Sequence, residues 1–120
     1  MASHNDTGKK GEVLAADWLC KNGFIIHHCN WRHSHYEIDV VASRAHVLHF
    51  IEVKTRTSSV YGFPEESVSD KKLESLMRAS SAYLVKYRGF KRVQYDILSI
   101  MLNPVDTPAF FLVEDVYCNF

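Results

Sequence analysis

Two strand-like runs, YEIDVVAS (Tyr36–Ser43) and HVLHFIEVKTRT (His46–Thr57), are rich in β-branched and aromatic residues and are joined only through Ser43–His46. A connection this short cannot recross a sheet, so the two must form an antiparallel hairpin. A loop of two or four residues sets Asp39 opposite Phe50 and Glu37 opposite Glu52. Alternate side chains share a face, so Glu37, Asp39 and Val41 point one way and Ile38, Val40 and Ala42 the other. Phe50, Glu52, Lys54 and Arg56 likewise point together, and Glu37, Asp39, Glu52 and Lys54 converge. No Asn-Gly pair fixes the turn, and a one-residue slip would reverse every side chain.

The rest of the chain supplies a frame for this hairpin. From Gly8 to Asn22, Leu14, Ala15, Trp18 and Leu19 recur at helical spacing, and Gly23 is a stop signal. On that helix Glu12 falls between the bearings of Ala16 and Leu19 and is expected to aim inward, while Lys10, Asp17 and Lys21 take the polar side. FIIHHCN (Phe24–Asn30) reads as a strand. After a loop punctuated by Gly62 and Pro64, Leu73, Leu76, Met77, Tyr83, Leu84 and Tyr87 mark a second helix, capped at Ser69 or Asp70 and ended by Gly89. RVQYDILSIML and AFFLVEDVY complete the set as strands, with a turn at Asn103, Pro104 and Pro108. The order α-β-β-β-α-β-β predicts an α/β fold, a central mixed five-stranded sheet flanked by helices, in a single domain over residues 1–120.

With 120 residues, 47% of them hydrophobic, the chain can build one core. The polar start MASHNDTGKKGE has no signal-peptide h-region and no apolar run is long enough to span a bilayer, so a cytoplasmic protein without a membrane partner is expected. Cys20, Cys29 and Cys118 are widely separated and suggest reduced, structural thiols. Fourteen basic residues against fourteen acidic ones lack the excess of a typical nucleic-acid binder, which fits such a role only where the acids gather at a metal.

Converging carboxylates without a cation raise one another's pKa values, and a divalent ion relieves them. Hard oxygen ligands suit magnesium or manganese. A Glu-x-Lys pair on a strand is, by itself, more often solvated charge. His27, His28, Cys29, His33 and His35 match no strong zinc spacing and default to strand packing and a polar loop. Tyr83, Tyr87, Phe110 and Phe111 are expected in the core. Lys71, Lys72 and Arg78 at a helix start either bind phosphate or form a solvated face, since lysine there opposes the helix dipole.

YEIDVVA followed by HFIEVKTRT resembles the D…ExK signature of the PD-(D/E)xK, restriction-endonuclease-like nucleases. Over nearly the whole chain the pattern resembles the YraN-like family, relatives of archaeal Holliday-junction resolvases. GKKGEVLAADWL resembles that family's opening helix with its Gly11–Glu12 pair, NWR its segment at Asn30–Arg32, YGFPEESVSDKK its loop into a lysine at Lys72, and QYDILSI its later strand with Asp96 as the acidic position. Tyr36 and Gln94 stand where the family usually has glycine and arginine.

The resemblance implies that Asp39 and Glu52, with the Val53 backbone carbonyl, bind Mg2+ or Mn2+, that Lys54 stands beside the attacking water, and that Glu12 and Glu37 are auxiliary acids. Arg32, Arg56, Lys71 and Lys72 would contact DNA. The implied activity is a structure-selective endonuclease for branched DNA, acting as a homodimer. A catalytically inactive nucleic-acid-binding module and a protein-interaction domain are the competing readings.

Overall fold

A computed structural model describes residues 4–57, 70–103 and 105–116, with side chains from residue 8 onward and, in the second helix, from residue 71. The loop at Gly62 and Pro64, the cap position Ser69, the side chain of Asp70, Pro104 and Cys118 lie outside the residues so described. The elements are α1 (His4–Lys21), β1 (Ile25–His33), β2 (Tyr36–Arg44), β3 (Val47–Arg56), α2 (Asp70–Lys86), β4 (Arg92–Met101) and β5 (Ala109–Val113). The strands form one sheet in the order β1-β2-β3-β4-β5, antiparallel except where α2 carries the chain across to make β4 parallel to β3. The expected α/β architecture and element order are therefore observed, with β1 longer and β5 shorter than the sequence suggested.

Each face of the sheet has its own core. Ala15 and Leu19 of α1 pack with Phe24, Val40, Ala42, Ile51, Leu98 and Ile100, whereas Leu76, Ala79 and Tyr83 of α2 pack with Ile38, Val41, Leu48 and Phe50. Phe50 and Ile51 on opposite faces show the period of two that a strand buried on both sides requires. On β5, Phe110 stacks on Trp18 with centroids 5.5 Å apart, but its neighbour Phe111 points to the other face and is half exposed, contrary to the expected core position.

The hairpin register differs from expectation by two residues. Arg44 pairs with Val47 and Phe50 with Val41, not with Asp39. The turn is tighter than the sequence signalled: Ala45 and His46 form it alone, with φ of 53° and 65°. Two positive φ values are the sign pattern of a type I′ turn, normally filled by Asn and Gly. Replacing Ala45→Asn together with His46→Gly should stabilise the protein by about 1 kcal/mol, because both new residues accept this backbone readily. Urea unfolding tests this, and an unchanged or lower midpoint would show the turn unstrained.

The buried stripe of α1 is Gly11, Ala15 and Leu19, while Glu12 and Val13 are exposed. The helix is thus rolled away from the expected orientation, which had Glu12 inward. Gly11 is the reason: a Cβ there would overlap Oγ1 of Thr55 and lie 3.0 Å from its Cβ, so only glycine lets α1 settle this close to β3. Gly11→Ala should cost about 1–3 kcal/mol as α1 and Thr55 are pushed apart. Thermal melts read this directly, and an unchanged melting temperature would contradict the close approach.

Candidate active site

The sheet opens around Asp39. On one side, Cys29↔Val40 and Trp31↔Ile38 bracket Asn30, whose φ of 53° breaks the run of β1 across from Asp39. Asparagine tolerates this left-handed backbone better than most residues. On the other side the paired β2–β3 ladder reaches Val40↔Ile51, and the next register position sets Asp39 across from Glu52. There the Val53 backbone N–H donates to Asp39 Oδ2 at 2.8 Å. Ile38 packs on the α2 side and Val40 on the α1 side, so β2 turns over as it passes Asp39 and strict alternation fails for Ile38.

Glu37, Asp39, Glu52 and Lys72 line one small pocket between β2, β3 and the start of α2. Glu52 is buried, and its Oε1 receives Lys72 Nζ at 2.9 Å and Lys54 Nζ at 3.8 Å. Glu37 turns to Arg32, 3.2 Å away on β1. The expected parity of Glu37, Asp39, Glu52 and Lys54 therefore holds despite the shifted register. Lys72, expected to contact DNA, is an ion-pair partner of Glu52. Lys71 is exposed, Arg56 is half-buried, and Glu12 lies outside the pocket lining, close enough to Cys29 for its charge to act on that thiol.

Burial pushes the Asp39 carboxyl up to about 6; the Val53 N–H opposes this, the Glu52 charge adds to it, Lys72 lowers it and Glu37 raises it. For Lys72, burial works against the ammonium, but the hydrogen bond to Glu52 and the charges of Glu52, Asp39 and Glu37 outweigh it and hold its pKa above the usual lysine value. Burial is the main cause of the raised Asp39, with the neighbouring carboxylates adding to it and Lys72 opposing it. The donor chemistry itself, two adjacent hard carboxylates, fits a divalent ion of the magnesium or manganese type. Glu37, Asp39 and Glu52 do not gather into a trio with oxygens within 4.8 Å, so two carboxylates would leave much of an octahedral shell to backbone and water, as magnesium prefers.

A second polar cluster lies on the α1 face. Among the described residues, His49, Asp96 and Glu114 are the acid and histidine side chains whose ligand-type atoms come within 4.8 Å of one another. Their atoms already have partners. Asp96 Oδ2 accepts His49 Nδ1–H at 2.5 Å, and Oδ1 accepts Gln94 Nε2–H at 3.0 Å and the Asp115 N–H at 2.9 Å. Glu114 Oε1 accepts Arg44 Nη2–H at 3.0 Å, and the Arg44 guanidinium lies 4.1 Å over the Phe24 ring. This network locks β2, β3, β4 and the end of β5 together.

The histidines of β1 disperse: His27 Nε2 meets Ser43 Oγ at 2.8 Å, His28 Nδ1 meets the Tyr83 hydroxyl at 3.0 Å, and Cys29 is exposed. His27 and His28 thus pair within the packed sheet, while His33 and His35 are exposed around the β1–β2 turn.

The family model described as the uncharacterised protein family UPF0102 matches residues 11–100. The chain belongs to this family. Relatives carrying the name UPF0102 protein include one from Bacteroides thetaiotaomicron, 39% identical over 101 residues and 84% of each chain, and one from Phocaeicola vulgatus, 41% identical over the same length and coverage. Among solved structures, Archaeoglobus fulgidus Hjc, a Holliday junction resolvase from an archaeal hyperthermophile, superposes with a TM-score of 0.50 over 86% of this chain and 74% of its own, at 19% identity. That likeness shows the fold. No described helix of this UPF0102 chain is long and apolar enough to cross a membrane.

For a UPF0102 chain read from sequence alone, two contacts escape notice. Lys72 reaches Glu52 only through the docking of α2; the residue itself is signalled by a lysine opposing the helix dipole and by the family-like loop before it, but its partner is not. His49 finds Asp96 across the parallel β3–β4 pairing, and the signal is a carboxylate set among the apolar residues of QYDILSI.

Proposed function

We propose that this pocket is the metal site of an endonuclease that hydrolyses phosphodiester bonds in DNA, selecting branched or junction structure over sequence. The observation that carries the reading is the Asp39–Glu52 carboxylate pair, brought across a hairpin beside Lys54 with Asp39 pushed up to about 6. The fold shared with a Holliday junction resolvase supports the same reading. Asp39 and Glu52, with the Val53 carbonyl, would hold Mg2+ or Mn2+. When bound, the ion would supply Lewis-acid polarisation of the phosphate and a lowered water pKa. Lys54, a compact cation on a flexible stem, orients the attacking water and offsets charge developing on the phosphate. Glu37, steadied by Arg32, adds negative charge at the rim. Arg32, Arg56 and Lys71 contact phosphates, which position DNA without reading bases. A four-way junction presents two equivalent strands, so junction resolution calls for a homodimer with two such pockets.

The test is cleavage of labelled single strand, duplex, flap and four-way junction by wild type and Glu52→Ala, in Mg2+ and in Mn2+. Cleavage that vanishes in Glu52→Ala supports the reading. Absence of cleavage across the panel contradicts it and favours a nucleic-acid-binding module. Lys54→Ala should lower kcat roughly 100-fold while metal binding persists; an unchanged kcat would remove Lys54 from the chemistry.

A further inference from the structure

Lys72 Nζ sits 2.9 Å from Glu52 Oε1, closer than Lys54 at 3.8 Å, on the carboxylate that the metal reading assigns to the ion. The same ammonium acts on Asp39 and Glu37 as well, so one side chain faces all three acids of the pocket. We propose that Lys72 is a two-position cation: it neutralises Glu52 while the pocket holds no metal, and moves to a phosphate oxygen of the nucleic-acid substrate once a divalent ion takes its place. This rests on the metal-nuclease reading and adds to it a control on metal entry.

Space and charge both require the move. With Lys72 in place the cavity among Ile38, Asp39, Ile51, Glu52, Lys72 and Leu76 has about 10 Å3, close to the minimum for a single water and too little for an ion that keeps several. An ion bonded to the Glu52 carboxylate at about 2.1 Å would also stand within a few ångströms of the ammonium, two positive charges on one carboxylate. The side chain has somewhere to go. Its stem is half exposed, with 51% of the side chain accessible, and it rises from the first turn of α2 at the pocket mouth. A first-turn lysine opposes the helix dipole, so the pull of the pocket carboxylates favours its inward position, and a metal that satisfies Glu52 weakens that pull. A freed ammonium at the mouth of a metal pocket meets the phosphate that the metal is binding.

The test pairs wild type with Lys72→Met. Calorimetric titration of Mn2+ should show about tenfold tighter binding to Lys72→Met, because the ion no longer displaces a bound cation. Binding of a labelled four-way junction in Ca2+ should weaken in the variant, with the slope of log affinity against log salt reduced by about one. Lys72→Gln should repeat both results. Mn2+ binding that is equal or weaker in the variants while wild type binds normally overturns this proposal alone, and junction binding with an unchanged salt slope overturns the second position. Failure of wild type and variants alike to bind Mn2+ overturns the metal site and this proposal with it.

Discussion

Asp96→Ala should remove about 3–5 kcal/mol of stability, the largest single loss anticipated anywhere in the molecule. Asp96 is 1% exposed and accepts from His49, Gln94 and the Asp115 backbone, so truncation strands the donors of His49 and Asp115, held on different segments from Asp96 itself, and leaves Gln94 with only its longer bond to Glu114. Each buried donor left without an acceptor costs about 1–3 kcal/mol. A domain of this size has a total stability of about 5–15 kcal/mol, so the variant should sit near its folding threshold at 37 °C. Asp96→Asn should be milder. Its amide oxygen still accepts, and the imidazole of His49 can present a lone pair to the amide N–H by changing tautomer. Urea unfolding of the two variants measures both effects; a loss below about 1 kcal/mol for Asp96→Ala would mean that the network is not structural.

Asp39→Asn should do the opposite to the metal-free protein. Burial raises the folded-state pKa of Asp39 from 3.8 to about 6, so between those values the folded chain holds a proton that the unfolded chain has lost. The stability associated with that proton is fully present below the unfolded pKa and is lost as pH rises through about 6. Asparagine is a permanent mimic of the protonated acid and can still accept from the Val53 N–H. The difference between variant and wild type should therefore be small at pH 4, grow through pH 6 and level off above it. Two pKa units correspond to about 3 kcal/mol, an upper figure because water and Lys72 relax around the charge. Unfolding in EDTA from pH 4 to 8 tests this. A variant that is less stable than wild type at pH 8 would show that the Asp39 carboxylate is already compensated without metal.

The site is a case of a correct parity drawn from a wrong register. The short link between β2 and β3 dictated a hairpin, and an odd sum of paired positions was enough to bring Asp39 and Glu52 to one face. What the sequence could not signal was a turn made by Ala45 and His46 with positive φ, because neither residue advertises that backbone. The roll of α1 was misread for a related reason. Hydrophobic bearing placed Glu12 inward, but a glycine with no hydrophobic weight, Gly11, makes the closest approach to the sheet. Helical periodicity sees side chains and is blind to where their absence matters.

The contacts of Lys72 and of the His49–Asp96 pair depend on which elements meet. Both span the crossover from β3 through α2 to β4, and no local pattern fixes that register. Asp96 could be singled out as an acid in an apolar strand, but its partners could not be named. Conversely, in the histidine-rich stretch 27–35, which looked chemically dense, His27 and His28 turn to separate partners and His33 and His35 are exposed. Alternation along β1 sends neighbouring histidines to different partners.

The proposed metal site is best probed by the response of folding to Mg2+, using wild type and the Asp39→Asn/Glu52→Gln double variant. Wild type should gain about 1.4 kcal/mol, or about 5 °C in Tm, when Mg2+ reaches ten times its Kd, since only the folded chain assembles both ligands. The double variant should show no Mg2+-dependent shift while keeping a cooperative melt. An equal shift in both proteins, or none in wild type up to millimolar Mg2+, would contradict a metal held by Asp39 and Glu52.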